Sequence, residues 1–236
     1  MAAIRSFITY VVTIAYIAVA GPVGLLVAIV FRSKGVLYAL GHGGVWLALT
    51  LSGIRYRVIG REHIPGGAAV YCSNHESNID PPVLFRALHP RLHVLYKAEL
   101  HKFPIMGAVF DVGGFVPVDR SDRDRAMASI SRGAASLRAG NSFLIFPEGT
   151  RSRGGELLPF KKGGFIMAIE AQAPIVPVAV SGGRAAMRKG SALVRPVTVT
   201  VRVGPPIPTA GLTIDDRDRL IERVRAQVQH LLVAPV

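Results

Sequence analysis

The chain contains few cysteines and few acidic residues. Its single cysteine, Cys72, excludes a disulfide framework and a zinc site built on several cysteines. Only 15 acidic residues stand against 28 lysines and arginines in 236 residues, so the net charge is +13. A charge of this size suits an anionic partner, such as nucleic acid, anionic lipid or a phosphorylated substrate. Half of the residues are hydrophobic, which excludes a disordered chain and predicts a buried core.

Acidic residues are missing altogether from residues 1–54, where the only bases are Arg5, Arg32 and Lys34. An uncharged stretch of 26 residues runs from Ser6 to Phe31. As a helix this stretch would be roughly 39 Å long at 1.5 Å per residue, which is enough to span a bilayer with some tilt. We therefore predict that the first 54 residues anchor the protein to a membrane.

The N-terminal part allows three interpretations. The first is a membrane anchor, in which Gly21-Pro22 interrupts one apolar helix and Val36–Leu51 forms another. The second is a signal peptide cleaved after Ala18-Val19-Ala20, and the third is a buried core hairpin of a soluble protein. The anchor is favoured, because further uncharged residues, Pro22–Phe31, follow the cleavage site and because so long an uncharged stretch is unusual in a soluble core. Bases at both ends leave the orientation open, although a shallow hairpin with both ends in the cytoplasm satisfies the positive-inside rule.

Residues 55–236 have the composition of a separate soluble domain in which strands alternate with helices. This alternation predicts an α/β fold with a mixed sheet flanked by helices. Ser121 and Asp124 have the spacing of a capping box, and the alternating residues of Val197–Val203 predict a half-exposed strand. The predicted strands span residues 68–73, 92–96, 115–118, 142–146, 175–180 (interrupted by Pro177) and 197–203, and the predicted helices span 81–87, 121–138, 165–171 and 215–232.

A histidine and an aspartate follow the first of these strands, in the segment Asn74–Asp80. His75 and Asp80 are five residues apart, so on a continuous helix they would point about 140° away from each other, and they meet only if a turn intervenes. Asp80 before Pro81 fits such a turn, with Asp80 as the cap of a new helix. A histidine beside a carboxylate is a general-base dyad, although a histidine that only bonds to a helix cap has the same pattern. The spacing of His75, Glu76 and Asp80 does not suit a zinc site.

The segment Phe146–Ser152 also stands at the end of a predicted strand. Gly149 permits close approach to the backbone, and Arg151 offers a planar guanidinium for a phosphate. Glu148 could orient a hydroxyl group or pair with Arg151. By itself, this segment is as typical of a loop with an internal salt bridge as of a binding site.

Three further segments carry bases at the ends of predicted elements. Lys97 ends one predicted strand, and Arg120 ends another, Gly114–Arg120. Phe160–Gly164 is a basic glycine-rich turn before a helix. The exposed N–H groups of such a turn could hold an anion. A single base in such a position is more often a solvated surface charge than a ligand-binding residue.

Taken together and in this order, the motifs resemble those of the glycerolipid acyltransferase family, which includes the 1-acyl-sn-glycerol-3-phosphate acyltransferases. Asn74–Asp80 matches the family's Asn-His-x4-Asp motif, and Phe146–Ser152 matches its most diagnostic motif. Gly114 and Arg120 match a third motif, in which Pro117 replaces the usual aromatic residue. The fourth motif matches at residues 173–178, and the resemblance covers roughly residues 55–210.

The resemblance implies a role for each of these residues. His75 would take the proton from the free hydroxyl of a lysophospholipid, and Asp80 would orient His75. Arg151 and Lys97 would bind the phosphate of the acceptor, with Arg120 assisting them. Glu148, Gly149 and the neighbouring Thr150 would shape the pocket for the glycerol.

The reaction implied by the resemblance needs no metal, no cofactor and no covalent acyl-enzyme, because the donor is an activated thioester. The donor would be acyl-CoA or acyl carrier protein, the acceptor 1-acylglycerol 3-phosphate, and the product phosphatidic acid. The enzyme would work at the cell membrane, with the catalytic domain, residues 55–236, on the cytoplasmic side. Another lysolipid acceptor and a membrane-anchored hydrolase of lipids or thioesters are alternatives. A nucleic-acid-binding protein is disfavoured, because the bases do not interleave with aromatic residues and the N-terminus is apolar.

Overall fold

A computed structural model of the protein describes residues 1–119, 122–152 and 154–234, without the side chains of Lys97, Pro104 and Arg123. The helices are α1 (Ala2–Val30), α2 (Gly35–Ser52), α3 (Asp80–Ala87), α4 (Pro104–Gly113), α5 (Arg123–Arg138), α6 (Gly163–Ala171), α7 (Gly183–Ala186) and α8 (Arg217–Val233). The strands are β1 (Ile54–Ile59), β2 (Val70–Ser73), β3 (Leu92–Lys97), β4 (Val116–Val118), β5 (Ser142–Ile145), β6 (Ile175–Ser181) and β7 (Val197–Val203). Short 3-10 turns span 61–63, 98–102 and 214–216.

The seven strands form one sheet in the order β1-β7-β6-β2-β5-β3-β4. Strands β6, β2, β5, β3 and β4 are parallel, whereas β7 runs antiparallel to β6, and β1 follows β7 in parallel. This confirms the predicted mixed α/β sheet. Because the carboxyl ends of the five parallel strands meet at one edge, the loops that follow them converge there.

The sheet is covered on both faces, which divides the core into two layers. One layer contains Leu84 of α3 and Val199 of β7, and the other contains Phe165 of α6 and Val224 of α8. Every residue of β2 and β5 is buried, as expected for parallel strands with both faces covered. Cys72 is part of this core in β2, and burial raises the pKa of its thiol, so it is a packing residue.

The expectation of a half-exposed strand over Val197–Val203 is wrong. Strand β7 lies between β1 and β6, and its polar residues Thr200 and Arg202 are both buried. The Thr200 hydroxyl accepts a hydrogen bond from Nε of Arg57 at 2.9 Å, and Arg202 donates to the carbonyl of Ala234 at 3.1 Å. These long-range partners allow polar side chains to occupy a covered face.

Two local expectations are also corrected. The N-cap of α5 is Asp122, whose carboxylate accepts the backbone N–H groups of Asp124 and Arg125 at 3.0 Å each. The predicted cap, Ser121, lies outside the described residues. Strand β6 continues through Pro177 rather than breaking there.

Helices α1 and α2 pack against each other and leave most of their apolar surface exposed. Pro22 lies inside α1, so Gly21-Pro22 does not divide the helix as expected. The ring of Tyr16 packs against Gly44, and its hydroxyl donates to the carbonyl of Leu40 at 2.9 Å. Both helices are long and apolar enough to cross a membrane, and only 11% and 22% of their apolar windows are buried. A buried core hairpin would be covered by the rest of the protein, and these helices are not.

Candidate active site

The end of β2 and the start of α3 bring His75 and Asp80 together. Nδ1 of His75 lies 2.9 Å from Oδ2 of Asp80, across the turn predicted from the sequence. Oδ2 also accepts the backbone N–H groups of Glu76 at 2.7 Å and Ser77 at 2.8 Å. The carboxylate therefore bonds to the turn before the helix, and the helix cap is Ile79 rather than the predicted Asp80.

Asp80 is completely buried, whereas the ring of His75 is 16% exposed. Because a carboxylate only accepts hydrogen bonds, Nδ1 of a neutral His75 carries the proton and Nε2 is left as a free acceptor. Nε2 makes no hydrogen bond with the described residues. The ring also stacks on Phe146, with the ring centroids 4.2 Å apart. The arrangement can accept a proton at Nε2 and stabilise the resulting charge through Asp80.

Glu148 is buried beside the dyad, and among the described residues it bonds to two backbone groups. Its two oxygens accept the N–H of His75 at 2.8 Å and the N–H of Leu158 at 3.0 Å. Burial raises the pKa of Glu148, and these two hydrogen bonds oppose that rise. Within the described residues Glu148 therefore makes no ion pair with Arg151 and no hydrogen bond to a hydroxyl group, and it stabilises the loop that carries His75.

Two buried polar side chains connect the same loop to β6 and to the end of α7. The amide of Asn74 donates to the carbonyl of Val180 at 2.9 Å and accepts its N–H at 2.7 Å. The hydroxyl of Ser77 donates to the carbonyl of Met187 at 2.8 Å, so it is occupied as a structural donor. Together these bonds hold the histidine loop rigidly against its neighbouring strand.

The segment Gly149–Arg151 follows β5 at the same edge of the sheet. Gly149 has φ of +69°, and a Cβ atom there would lie 2.8 Å from Cε of Lys161. The positive φ favours glycine at this position, and the Lys161 side chain of the basic turn before α6 lies beside the segment. The guanidinium of Arg151 makes no hydrogen bond or ion pair with the described residues. It is therefore available for an anionic ligand.

The structure places the backbone of only one of the two other predicted phosphate ligands. Lys97 is the last residue of β3, at the converging edge, and its side chain lies outside the described part of the structure. Arg120 also lies outside the described residues, two positions after the end of β4 at Val118.

A second group of bases lies at this edge and was not predicted from the sequence. Arg184, Arg188 and Lys189 follow β6 and line a cavity of about 320 Å³, together with Ser152 and Glu76. The signal was present, because the bases come directly after a predicted strand. Without the order of the strands, however, nothing indicated that β6 lies next to β2.

Glu76 is the acidic residue in the wall of this cavity. Burial is the main reason that its pKa rises to about 7, and the charge of Asp80 adds to the rise. The charge and backbone N–H of Arg184 act in the opposite direction.

Comparisons with known proteins identify the family of the chain and confirm its fold. The Acyltransferase family model matches residues 55–181, which include the histidine loop and the segment after β5. The chain belongs to this acyltransferase family, as its motifs predicted. It is 36% identical over 191 residues to the 1-acyl-sn-glycerol-3-phosphate acyltransferase of Limnanthes douglasii, covering 80% of this chain and 67% of that protein. It is 37% identical over 177 residues to the human 1-acyl-sn-glycerol-3-phosphate acyltransferase alpha, covering 74% of this chain and 62% of that protein.

The chain thus spans about two thirds of the length of these curated relatives. Its fold is also that of a solved structure, the 1-acyl-sn-glycerophosphate acyltransferase of Thermotoga maritima. The TM-score is 0.81 at 22% identity, and the match covers 99% of this chain and 98% of the other. The match includes the two N-terminal helices, and it confirms the fold class.

Proposed function

We propose that this protein transfers an acyl chain from a thioester donor to the free hydroxyl of 1-acyl-sn-glycerol 3-phosphate, giving phosphatidic acid. The observation that carries the proposal is the hydrogen bond between His75 and the buried carboxylate of Asp80, which leaves Nε2 of the ring unoccupied. The names of the relatives support the choice of acceptor.

In the proposed reaction, Nε2 of His75 takes the proton from the acceptor hydroxyl as its oxygen attacks the thioester carbonyl. Asp80 stabilises the imidazolium that forms. A carbon–oxygen bond forms, the carbon–sulfur bond breaks, and His75 returns the proton to the leaving thiolate. The acyl group passes directly from donor to acceptor, because the thioester is already activated.

The acceptor phosphate is assigned to Arg151, with Lys97 and Arg120 as further bases. The support is that the Arg151 guanidinium has no partner among the described residues and follows β5, next to the strand that leads to His75. Glu148 is given a positioning role, because it bonds to the backbone of His75.

Residues 1–54 are proposed to anchor the enzyme to the cell membrane, and residues 55–236 to form the catalytic domain on its cytoplasmic side. The exposed apolar surface of α1 and α2 supports the anchor. The cytoplasmic side is favoured because thioester donors for lipid synthesis are charged molecules that do not cross the bilayer unaided.

The test is an assay of the purified full-length protein in detergent, with acyl-CoA in the presence and absence of 1-acylglycerol 3-phosphate. We expect thiol release that depends on the acceptor, together with phosphatidic acid. His75→Ala should lower turnover at least 1,000-fold, on the order of the loss seen when a general base is removed. The matched control is His230→Ala, an exposed histidine on α8. Thiol release of equal rate without acceptor would instead identify a hydrolase.

The phosphate assignment has its own test. Arg151→Ala should raise KM for the acceptor more than KM for the donor, because a phosphate dianion requires charged partners. Arg151→Lys should restore only part of the loss, since a point charge does not reproduce the guanidinium plane. Equal effects on both substrates would show that Arg151 is structural.

A further inference from the structure

Basic side chains outnumber acidic side chains in the lining of the cavity beside the dyad. Arg184, Arg188 and Lys189 line it, and Glu76 is the acid that lines it with them. The Arg188 guanidinium makes no hydrogen bond or ion pair with the described residues. A pKa of about 7 leaves Glu76 only partly ionised near neutral pH, so the cavity keeps a surplus of positive charge.

The cavity also lies next to the proposed dyad, because residues bonded to or adjacent to His75 line it. Glu76 directly follows His75, and the N–H of Ser152 donates to the carbonyl of His75 at 2.8 Å. From there the cavity continues outward to Arg188 and Gly190, which are exposed. Its volume of about 320 Å³ lies at the lower end of the range for small-molecule sites, roughly 300–1,000 Å³.

Hydrogen bonds attach the loop that carries these bases to the segment after β5 and to helix α1. Nζ of Lys189 donates to Oγ1 of Thr150 at 3.2 Å and to the carbonyl of Arg151 at 2.8 Å. Helix α1 contacts the same loop, because Ser6 accepts the N–H of Val194 at 2.8 Å. The backbone of this loop and the ammonium group of Lys189 are thus held in place before a ligand arrives, which lowers the entropic cost of binding.

We infer that this cavity binds the phosphates of a coenzyme A thioester, at a place distinct from the acceptor phosphate assigned to Arg151. This inference rests on the proposed function, since that reaction brings two phosphorylated substrates to one histidine. Coenzyme A carries three phosphate groups, and two guanidinium groups with one ammonium group match such a polyanion. An acyl carrier protein has only one phosphodiester on its pantetheine arm, so fewer of these bases would bind a phosphate group.

The direct test measures binding of adenosine 3′,5′-bisphosphate and of coenzyme A to the full-length protein in detergent micelles by calorimetry. Arg188→Ala should weaken the binding of both at least tenfold, and Arg188→Lys should weaken it less. The control is Arg223→Ala, an exposed arginine on α8. Because Arg188 is exposed, its replacement should leave the fold intact, which thermal unfolding checks. Equal affinity in Arg188→Ala and the wild type would overturn the inference.

The kinetic test separates the two substrates. With acyl-CoA as donor, Arg188→Ala should raise KM for the donor at least tenfold and change KM for the acceptor less than twofold. With acyl-pantetheine, which lacks phosphate, the difference between Arg188→Ala and the wild type should disappear. A rise in KM for the acceptor alone would assign the cavity to the acceptor phosphate and overturn the inference. An equally large difference between Arg188→Ala and the wild type with acyl-pantetheine would show that Arg188 is structural, which would also overturn it. If the wild type transfers no acyl group, the proposed function fails, while the binding measurement still tests the cavity.

Discussion

Gly183 packs directly against Oδ1 of Asp80, so closely that a methyl group on Gly183 would overlap that oxygen. Oδ1 is buried and has no hydrogen-bond partner among the described residues, while Oδ2 accepts three hydrogen bonds. The start of α7 therefore closes over one side of the carboxylate and leaves its other oxygen to orient His75. This contact explains why α7 begins with a glycine.

Gly183→Ala should displace the carboxylate and disrupt the dyad. We expect turnover to fall at least 100-fold and the free energy of unfolding to fall by about 1–3 kcal/mol, the usual cost of overpacking a buried site. The measurements are acyl transfer and thermal unfolding of the purified variant. Gly67→Ala is the control, because a Cβ atom at Gly67 meets no atom within 4 Å. Full activity in Gly183→Ala would mean that the precise placement of Asp80 does not matter.

Glu148→Gln tests whether Glu148 positions His75 or binds substrate. The amide keeps one oxygen, so one of the two backbone N–H groups loses its acceptor, at a cost of about 1–3 kcal/mol for a buried group. A positioning role predicts lower kcat and lower stability, with KM for the acceptor nearly unchanged. Glu156→Gln, at an exposed position, serves as the control. A raised KM for the acceptor with normal kcat would instead support the glycerol-pocket role.

His93 should make the protein less stable in acid. The ring is buried in the core, and burial, followed by the charges of Lys34 and His89, lowers its pKa to about 4. Because the unfolded chain binds a proton near pH 6.5 and the folded chain does not, unfolding takes up a proton between these values. The stabilisation is therefore complete above about pH 6.5 and is lost as the pH falls towards 4.

The matching variant is His93→Phe, which keeps an aromatic ring but cannot titrate. Between pH 7 and pH 4 the wild type should lose on the order of 2 kcal/mol more than this variant. Denaturant unfolding of both proteins across this pH range measures the difference. Parallel pH profiles would show that His93 does not contribute to acid sensitivity.

Membrane association should resist salt. Transfer of the exposed apolar surface of α1 and α2 into lipid is favourable by roughly 25 cal/mol per Å². Attraction of each surface base to anionic lipid adds about 1 kcal/mol and is screened by salt. We therefore expect that washing membranes with 1 M salt leaves the protein bound and that detergent releases it, as measured by sedimentation. Release by salt alone would favour a peripheral protein held by its charge.

Much of the core of this fold could be predicted from local patterns. The buried strands β2 and β5 stand out as continuous apolar segments, and the turn that pairs His75 with Asp80 follows from their spacing and from Pro81. Strand β1 and helices α4 and α7 were not predicted, although the alternation of Ile54–Ile59 and the Pro104 and Gly114 at the two ends of α4 are signals for the first two. The half-exposed pattern of β7 was misleading, since Thr200 finds a partner in Arg57 that is 143 residues distant in sequence.

The sequence by itself determined which residue types stand at the ends of the strands, and this was enough to predict the dyad and the segment with Arg151. It also determined the apolar character of the N-terminus. Tertiary structure alone decided which of these ends lie together. The amide of Asn74 reaches Val180 over 106 positions, and Ser6 reaches Val194 over 188. Such contacts depend on the order of strands in the sheet and on the docking of α1, which arise from long-range pairing and burial rather than from local preference. For this reason the sequence revealed the histidine and its aspartate, while only the folded protein brought Arg184, Arg188 and Lys189 to the same site.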